Sequence, residues 1–102
     1  MAKKKRSKSE EEYQLGLAKI RAGAIAKHLK LNNLTDKAHC GTLGYDQSNF
    51  SKAKKGKVEL SEKWFNLSLI LLPSLKKDLD EVNKEIEKLT IKYLPHLLNR
   101  DT

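Results

Sequence analysis

Gln47, Ser48, Ser51 and Lys52 place an amide, two hydroxyls and an ammonium within six residues of one another. On a helix, groups at this spacing project from one side. There an amide can bond two edge atoms of adenine, while hydroxyls and a lysine reach neighbouring bases or phosphates. These four are the candidate base-reading residues. Asn49 is a second amide that helical spacing turns partly aside, so phosphate contact suits it better. Lys54, Lys55 and Lys57 follow as positive charges suited to a phosphate backbone. The competing reading of the same residues is a plain exposed helix surface. Catalytic chemistry has no comparable cluster. His28, His39 and His96 are scattered, no Cys-x-x-Cys or His-x-x-x-His pair offers metal ligands, and no glycine-rich phosphate loop follows a strand pattern. Glu10 to Glu12 suit a helix N-terminus better than acid-base work. Cys40 is the lone cysteine and reads as a small packing residue, so no disulfide, metal, cofactor, small-molecule ligand or enzymatic activity is expected.

The elements that must position these groups read as helices. Ser9 followed by Glu10, Glu11 and Glu12 has the form of a capping box, with Ser9 as N-cap. Tyr13, Leu17, Ile20, Ala24, Leu29 and Leu31 recur at near-helical spacing and are expected to form the buried face, although Gly16 and Gly23 weaken that helix. Asn32 and Asn33 break the pattern. Thr35 then caps a short helix reaching about Thr42, Gly44 ends it, Asp46 caps the next helix to about Lys54, and Gly56 stops that one. Two short helices across a tight turn need a small residue where they cross, a turn residue tolerant of positive φ four places on, and an apolar anchor six beyond. Cys40, Gly44 and Phe50 stand at those positions. Leu43 and Tyr45 bracket the turn, and Ala53 falls on the buried face with Phe50. The motif core is therefore Cys40, Gly44, Phe50 and Ala53, within residues 35–56.

Charge is divided along the chain. The net charge is +8 and the isoelectric point about 9.6, yet residues 1–73 carry 15 of the 21 Lys and Arg against 7 of the 13 Asp and Glu, leaving residues 74–102 neutral. The excess is densest in Lys3, Lys4, Lys5, Arg6 and Lys8 and again in Lys52 to Lys57. A polyanion partner suits the first part, and a solubilising surface is the alternative. Residues 1–8 read as a disordered basic arm that tracks phosphates or enters the minor groove, with nuclear import as the competing reading. At 102 residues, 38% hydrophobic and 33% charged, the chain supports one small core beneath a charged surface. With a single cysteine, no signal-peptide-like stretch and no apolar run near the roughly 20 residues of a membrane span, a cytoplasmic protein without a membrane partner is expected.

The segment Leu43 to Gly56, LGYDQSNFSKAKKG, resembles the lambda-repressor and Cro superfamily, whose pattern here is Gly-x-x-Gln-Ser-x-apolar-Ser-basic with a second glycine just beyond. A closer resemblance is to the CII-like transcription activators of lambdoid phages. They share a basic arm, here Lys3 to Lys8, a Thr-acidic-Lys start at Thr35-Asp36-Lys37, and an Asp-x-Ser-x-apolar-Ser-basic helix at Asp46 to Lys52. The likeness covers about residues 10–72. It departs by one extra residue between Thr35 and Gly44, by His39 where the superfamily often has leucine, and by Ala53 where a bulky residue is usual. The resemblance implies an all-α helix-turn-helix protein, phage or prophage encoded, that works in the bacterial cytoplasm at the nucleoid, regulates transcription as activator or repressor, and can touch RNA polymerase.

Beyond Gly56, Leu60, Trp64, Leu67 and Leu71 form one apolar stripe and Phe65, Leu69 and Leu72 a second. Pro73 ends or kinks this helix. Leu75, Leu79, Val82, Ile86, Leu89 and Tyr93 then alternate spacings of four and three up to Pro95, a heptad seam of about three repeats over residues 74–94, with 95–102 as a tail. Self-association through this seam into a homodimer or homotetramer is expected, pairing reading heads at roughly 34 Å along a duplex. The alternative is that the helix folds back on its own domain. The expected architecture is all-α: a head of about four helices over residues 9–72 and a C-terminal oligomerisation helix. The expected function is sequence-specific double-stranded DNA binding in transcription regulation. The alternative is a protein-interaction module on the same scaffold, such as an antitoxin or an inhibitor of a host nucleic-acid machine.

Overall fold

A computed structural model of the chain describes residues 7–99, with side chains through His96. The described residues are all helical or connecting, with no strand: α1 (Lys8–Leu31), α2 (Asp36–Leu43), α3 (Gln47–Lys54), α4 (Glu62–Leu71), α5 (Pro73–Lys77) and α6 (Leu79–Asn99). Among them no helix is long and apolar enough to cross a membrane. The cap of α1 is Ser7, whose side chain accepts from the Glu10 backbone N–H at 3.1 Å, and not Ser9. The sequence contains two overlapping Ser-x-x-Glu boxes, and the earlier one puts Glu10 and Glu11 in the first turn, where the helix dipole favours them.

α1 is the organising element. Its inner line is Ala18, Ala22, Ile25 and Leu29, nearly inaccessible to solvent, and not the line through Tyr13, Ile20 and Ala24, which is only partly buried. Small residues at 18 and 22 let α3 approach closely, and Leu31 lies outside the core at 65% exposure. Against this line pack Phe50 and Ala53 of α3, Cys40 of α2, and Trp64 and Phe65 of α4. The stripe of α4 that closes the core is also rolled from the expected one. Leu60, Trp64, Ser68 and Leu72 are buried, while Leu67 is half-buried and Leu71 is 43% exposed. The hydroxyl at Ser68 explains the roll. It donates to the Trp64 carbonyl at 3.1 Å and lies 2.9 Å from Nε2 of the buried His39, so a polar pair occupies the middle of the stripe. With the serine proton on the carbonyl, Nε2–H of His39 donates to Ser68 Oγ.

Pro73 does end α4, and stands at the first position of α5. The seam that follows is used inside the chain. α6 runs antiparallel along α1, with Tyr13 and Thr90 hydroxyls 2.8 Å apart, Leu89 against Gly16 and the Tyr13 and Tyr93 rings 6.0 Å apart. Leu75 and Val82 are buried, and Leu79 and Ile86 pack on the same core. The assignment of Leu75, Leu79, Val82, Ile86, Leu89 and Tyr93 to contacts between copies is thus corrected: α1 offers these side chains an apolar face at once, without the entropy of association. α6 also passes Pro95 and continues to Asn99, since a proline that near a helix end forgoes a single backbone bond.

One polar knot fixes the corner between α5 and α6. His28, buried on α1, lies 2.9 Å from Ser74 Oγ through Nδ1 and 3.0 Å from Asp78 Oδ2 through Nε2, and Asn32 Nδ2 donates to the same Ser74 oxygen at 3.0 Å. The hydrogen bond from His28 holds the Asp78 carboxyl below its usual range, with Lys27 adding to the effect. Serine, imidazole and carboxylate stand here in the order of a nucleophilic relay. Asn32, the α1 C-cap, engages the same hydroxyl, so the knot ties three helices together.

Candidate nucleic-acid interface

The segment from Thr35 to Gly56 is built by local rules. Thr35 Oγ1 accepts from the Ala38 N–H at 3.0 Å and starts α2. Gly44 ends it at φ 69°, in the left-handed region where a Cβ would be strained, and the Tyr45 N–H returns to the Cys40 carbonyl at 2.9 Å. Asp46 Oδ1 accepts from the Ser48 N–H at 2.7 Å and starts α3. Gly56 follows the end of α3 at φ 73°. A position three residues long therefore turns the chain sharply between two eight-residue helices.

The packing beneath α3 is aromatic. Phe50 and Ala53 are fully buried, and Cys40 of α2 is buried in the same apolar cluster. Trp64 is surrounded by Tyr45, stacked at 4.4 Å, by Phe50 at 5.0 Å and by the edge of His39 at 5.5 Å. Ring contacts of this kind stabilise by about 1 kcal/mol each beyond the area they bury. Burial pushes the Cys40 thiol up from its ordinary value, with Asp36 adding to the effect, so it stays protonated and unreactive. It also pushes the Tyr45 hydroxyl up and His39 down, the latter against an opposing pull from Asp36. His39 is consequently neutral at pH 7, as its role in the core requires.

With one face held down, the other is presented to solvent. Gln47, Ser48, Asn49, Lys52, Lys55 and Lys57 are exposed. Ser48, Lys52 and Lys55 follow spacings of four and three along the outermost line of α3, with Gln47 and Ser51 on its shoulder. Ser51 is half-buried, so its hydroxyl is the least available of the four candidate base-reading groups. Lys54 departs from expectation. Its ammonium is ion-paired with Asp36 at the start of α2 and lies 5.2 Å from the Phe50 ring, which removes it from the phosphate-seeking set. The partner is 18 residues away, so no local pattern announces the pair. Lys3, Lys4, Lys5 and Arg6 lie outside the described residues. Among those described, no group of three or more His, Cys, Asp or Glu is gathered to hold a metal ion.

The site is thus the outer face of the second of two helices joined by a tight turn, polar at its N-terminal end and basic at its C-terminal end. No family model matches the chain, and no curated protein or solved structure matches it.

Proposed function

We propose that this protein is a sequence-specific double-stranded DNA-binding regulator of transcription that lays α3 in the major groove. One observation carries the reading: α3 buries Phe50 and Ala53 completely while leaving Gln47, Ser48, Lys52 and Lys55 to solvent on a short, rigidly capped helix. A face made only for solubility has no need of two caps and an aromatic cluster to hold its orientation. Groove reading does, because an amide must meet two base-edge atoms together. Gln47 and Ser48 contact bases, Lys52 bases or phosphate, and Asn49, Lys55 and Lys57 phosphates. The positive excess over residues 1–73 supports the same polyanion.

Replacing Gln47 and Lys52 together by Ala tests this. Selective duplex binding in a gel-shift titration is expected to fall by about tenfold or more, given ~1–3 kcal/mol for a bidentate base contact. The far-ultraviolet circular dichroism is expected to be unchanged, since both side chains are exposed. Equal affinity of both proteins for every duplex removes the reading. The second reading, a protein-interaction module, is favoured by exposed Leu34, Ile70 and Leu71, with Leu34 and Leu71 lining a dimple of about 190 Å³ between α2 and α4. On that reading the same double variant leaves DNA affinity untouched.

A further inference from the structure

A groove of about 490 Å³ runs between α1 and α6 over an apolar floor of Ile20, Ala24 and the outer edge of Val82, whose side chain is otherwise buried in the chain's own core. Its walls carry opposite charge. Lys19 and Lys27 stand on the α1 wall, and Asp78, Glu81 and Glu85 on the α6 wall. Because the two helices are antiparallel, with Gly16 level with Leu89 and His28 with Asp78, Lys19 stands at the height of Glu85 and Lys27 near that of Asp78 and Glu81. Within the chain three of these five charges are already paired, Asp78 with His28 as well as Lys27. Lys27 lies 3.8 Å from Asp78, Glu81 pairs with Lys84 on its own helix, and among the described residues Lys19 and Glu85 have no ion-pair partner.

We propose that this groove is the contact face of a homodimer in which α1 of each copy lies over α6 of the other. The charge arrangement selects the occupant. Rotating a second copy by half a turn about an axis along the groove brings its acidic wall over the first copy's basic wall, and the reverse, at unchanged height. Lys19 then meets Glu85 of the second copy, twice by symmetry, as an isologous contact requires. A half turn about an axis across the groove would instead set lysines on lysines. A second copy is therefore complementary to this face in one orientation and repelled in the other.

Gly23 is a separate indication. It sits in the middle of the basic wall, exposed and inside a 24-residue helix, where glycine is among the poorest choices. A Cβ added there meets nothing within 4 Å, so no contact inside the chain requires its absence. Bare backbone at that point lets side chains of an opposing helix descend to the apolar floor. The inference holds whatever α3 contacts, and its failure leaves the DNA-binding reading standing.

Charge exchange tests it on the full chain by sedimentation equilibrium at low salt. Lys19→Glu and Glu85→Lys each change an exposed residue without an ion-pair partner, so both variants are expected to keep the wild-type circular dichroism. Each alone sets like charges together at two symmetric points and is expected to weaken self-association by about 30-fold or more. An equimolar mixture of the two restores opposite charges at both points and is expected to associate about as tightly as wild type. Gly23→Trp, which fills the groove without touching a charge, is expected to give a folded monomer. A monomeric wild type, a variant that dimerises like wild type, or a mixture no tighter than its components overturns the proposal.

Discussion

The turn segment and the C-terminal helices are stabilised in different ways. From Thr35 to Gly56, each boundary is set by a residue within four positions of the group it satisfies: Thr35 to Ala38, Asp46 to Ser48, Gly44 by its own φ. From Pro73 to Asn99, α6 is set by its period, but what these helices pack against lies on α1, 46 residues away at His28 and Ser74 and 77 at Tyr13 and Thr90. A local rule carries its partner with it. A heptad seam shows only that an apolar face exists, and a near face on the same chain captures it before a distant one on another copy.

The largest effects should come from breaking the core under each region. Phe50→Ala leaves a cavity beneath α3 and is expected to destabilise by about 3–5 kcal/mol. Val82→Asp places a charge between α6 and α1 and is expected to be of comparable size, on the order of 3 kcal/mol or more. Urea unfolding checks both. The contrast is sharpest for Val82: a seam serving another copy would give a folded monomer, whereas a seam against α1 gives a chain that unfolds at lower urea. Gly44→Ala comes next. An added Cβ there meets nothing, so the expected loss of about 1–2 kcal/mol is the conformational cost of a positive φ alone, and thermal unfolding should detect it.

Smaller effects probe the ties that span the turn. A double-mutant cycle on Asp36→Asn and Lys54→Met is expected to give a coupling of about 0.5–1 kcal/mol, because the pair is partly exposed. A coupling of zero would show that α3 is held by packing alone. The subtlest effect is that of pH. His39 is held below its ordinary value of 6.5, so as pH falls through 6.5 the unfolded chain takes up a proton that the buried imidazole refuses, and stability declines. Asp78, whose value is depressed, contributes stability above pH 3.8 that is lost on further acidification. His39→Leu is expected to flatten the first decline and leave the second, as followed by thermal melts between pH 7 and pH 3.

Legibility in the sequence follows the same division. Both short helices, their caps, the exposed glycine turn at Gly44 and the buried trio Cys40, Phe50 and Ala53 are readable, because each rests on residue type at short range. The start of α1 was misplaced by two residues because Ser7 and Ser9 both satisfy the same box. Leu17 and Leu29 are buried as their spacing predicts, but the rest of the line is rolled because Ala18 and Ala22 look weaker than Tyr13 and Ile20. Ser68 stands between apolar neighbours with no periodicity to mark it as buried, although a histidine at position 39 where leucine is usual signals that a buried hydroxyl must answer it. Lys54 looked like its neighbours Lys52 and Lys55, and only the fold brings Asp36 to it.

The claim that the outer face of α3 reads DNA is tested most directly by selecting bound sites from a pool of random duplexes with wild type and with the Gln47→Ala, Lys52→Ala variant. The expected result is an enriched sequence for wild type that the variant loses while keeping its circular dichroism. Recovery of no common sequence by wild type, or of the same sequence by both, would contradict the account.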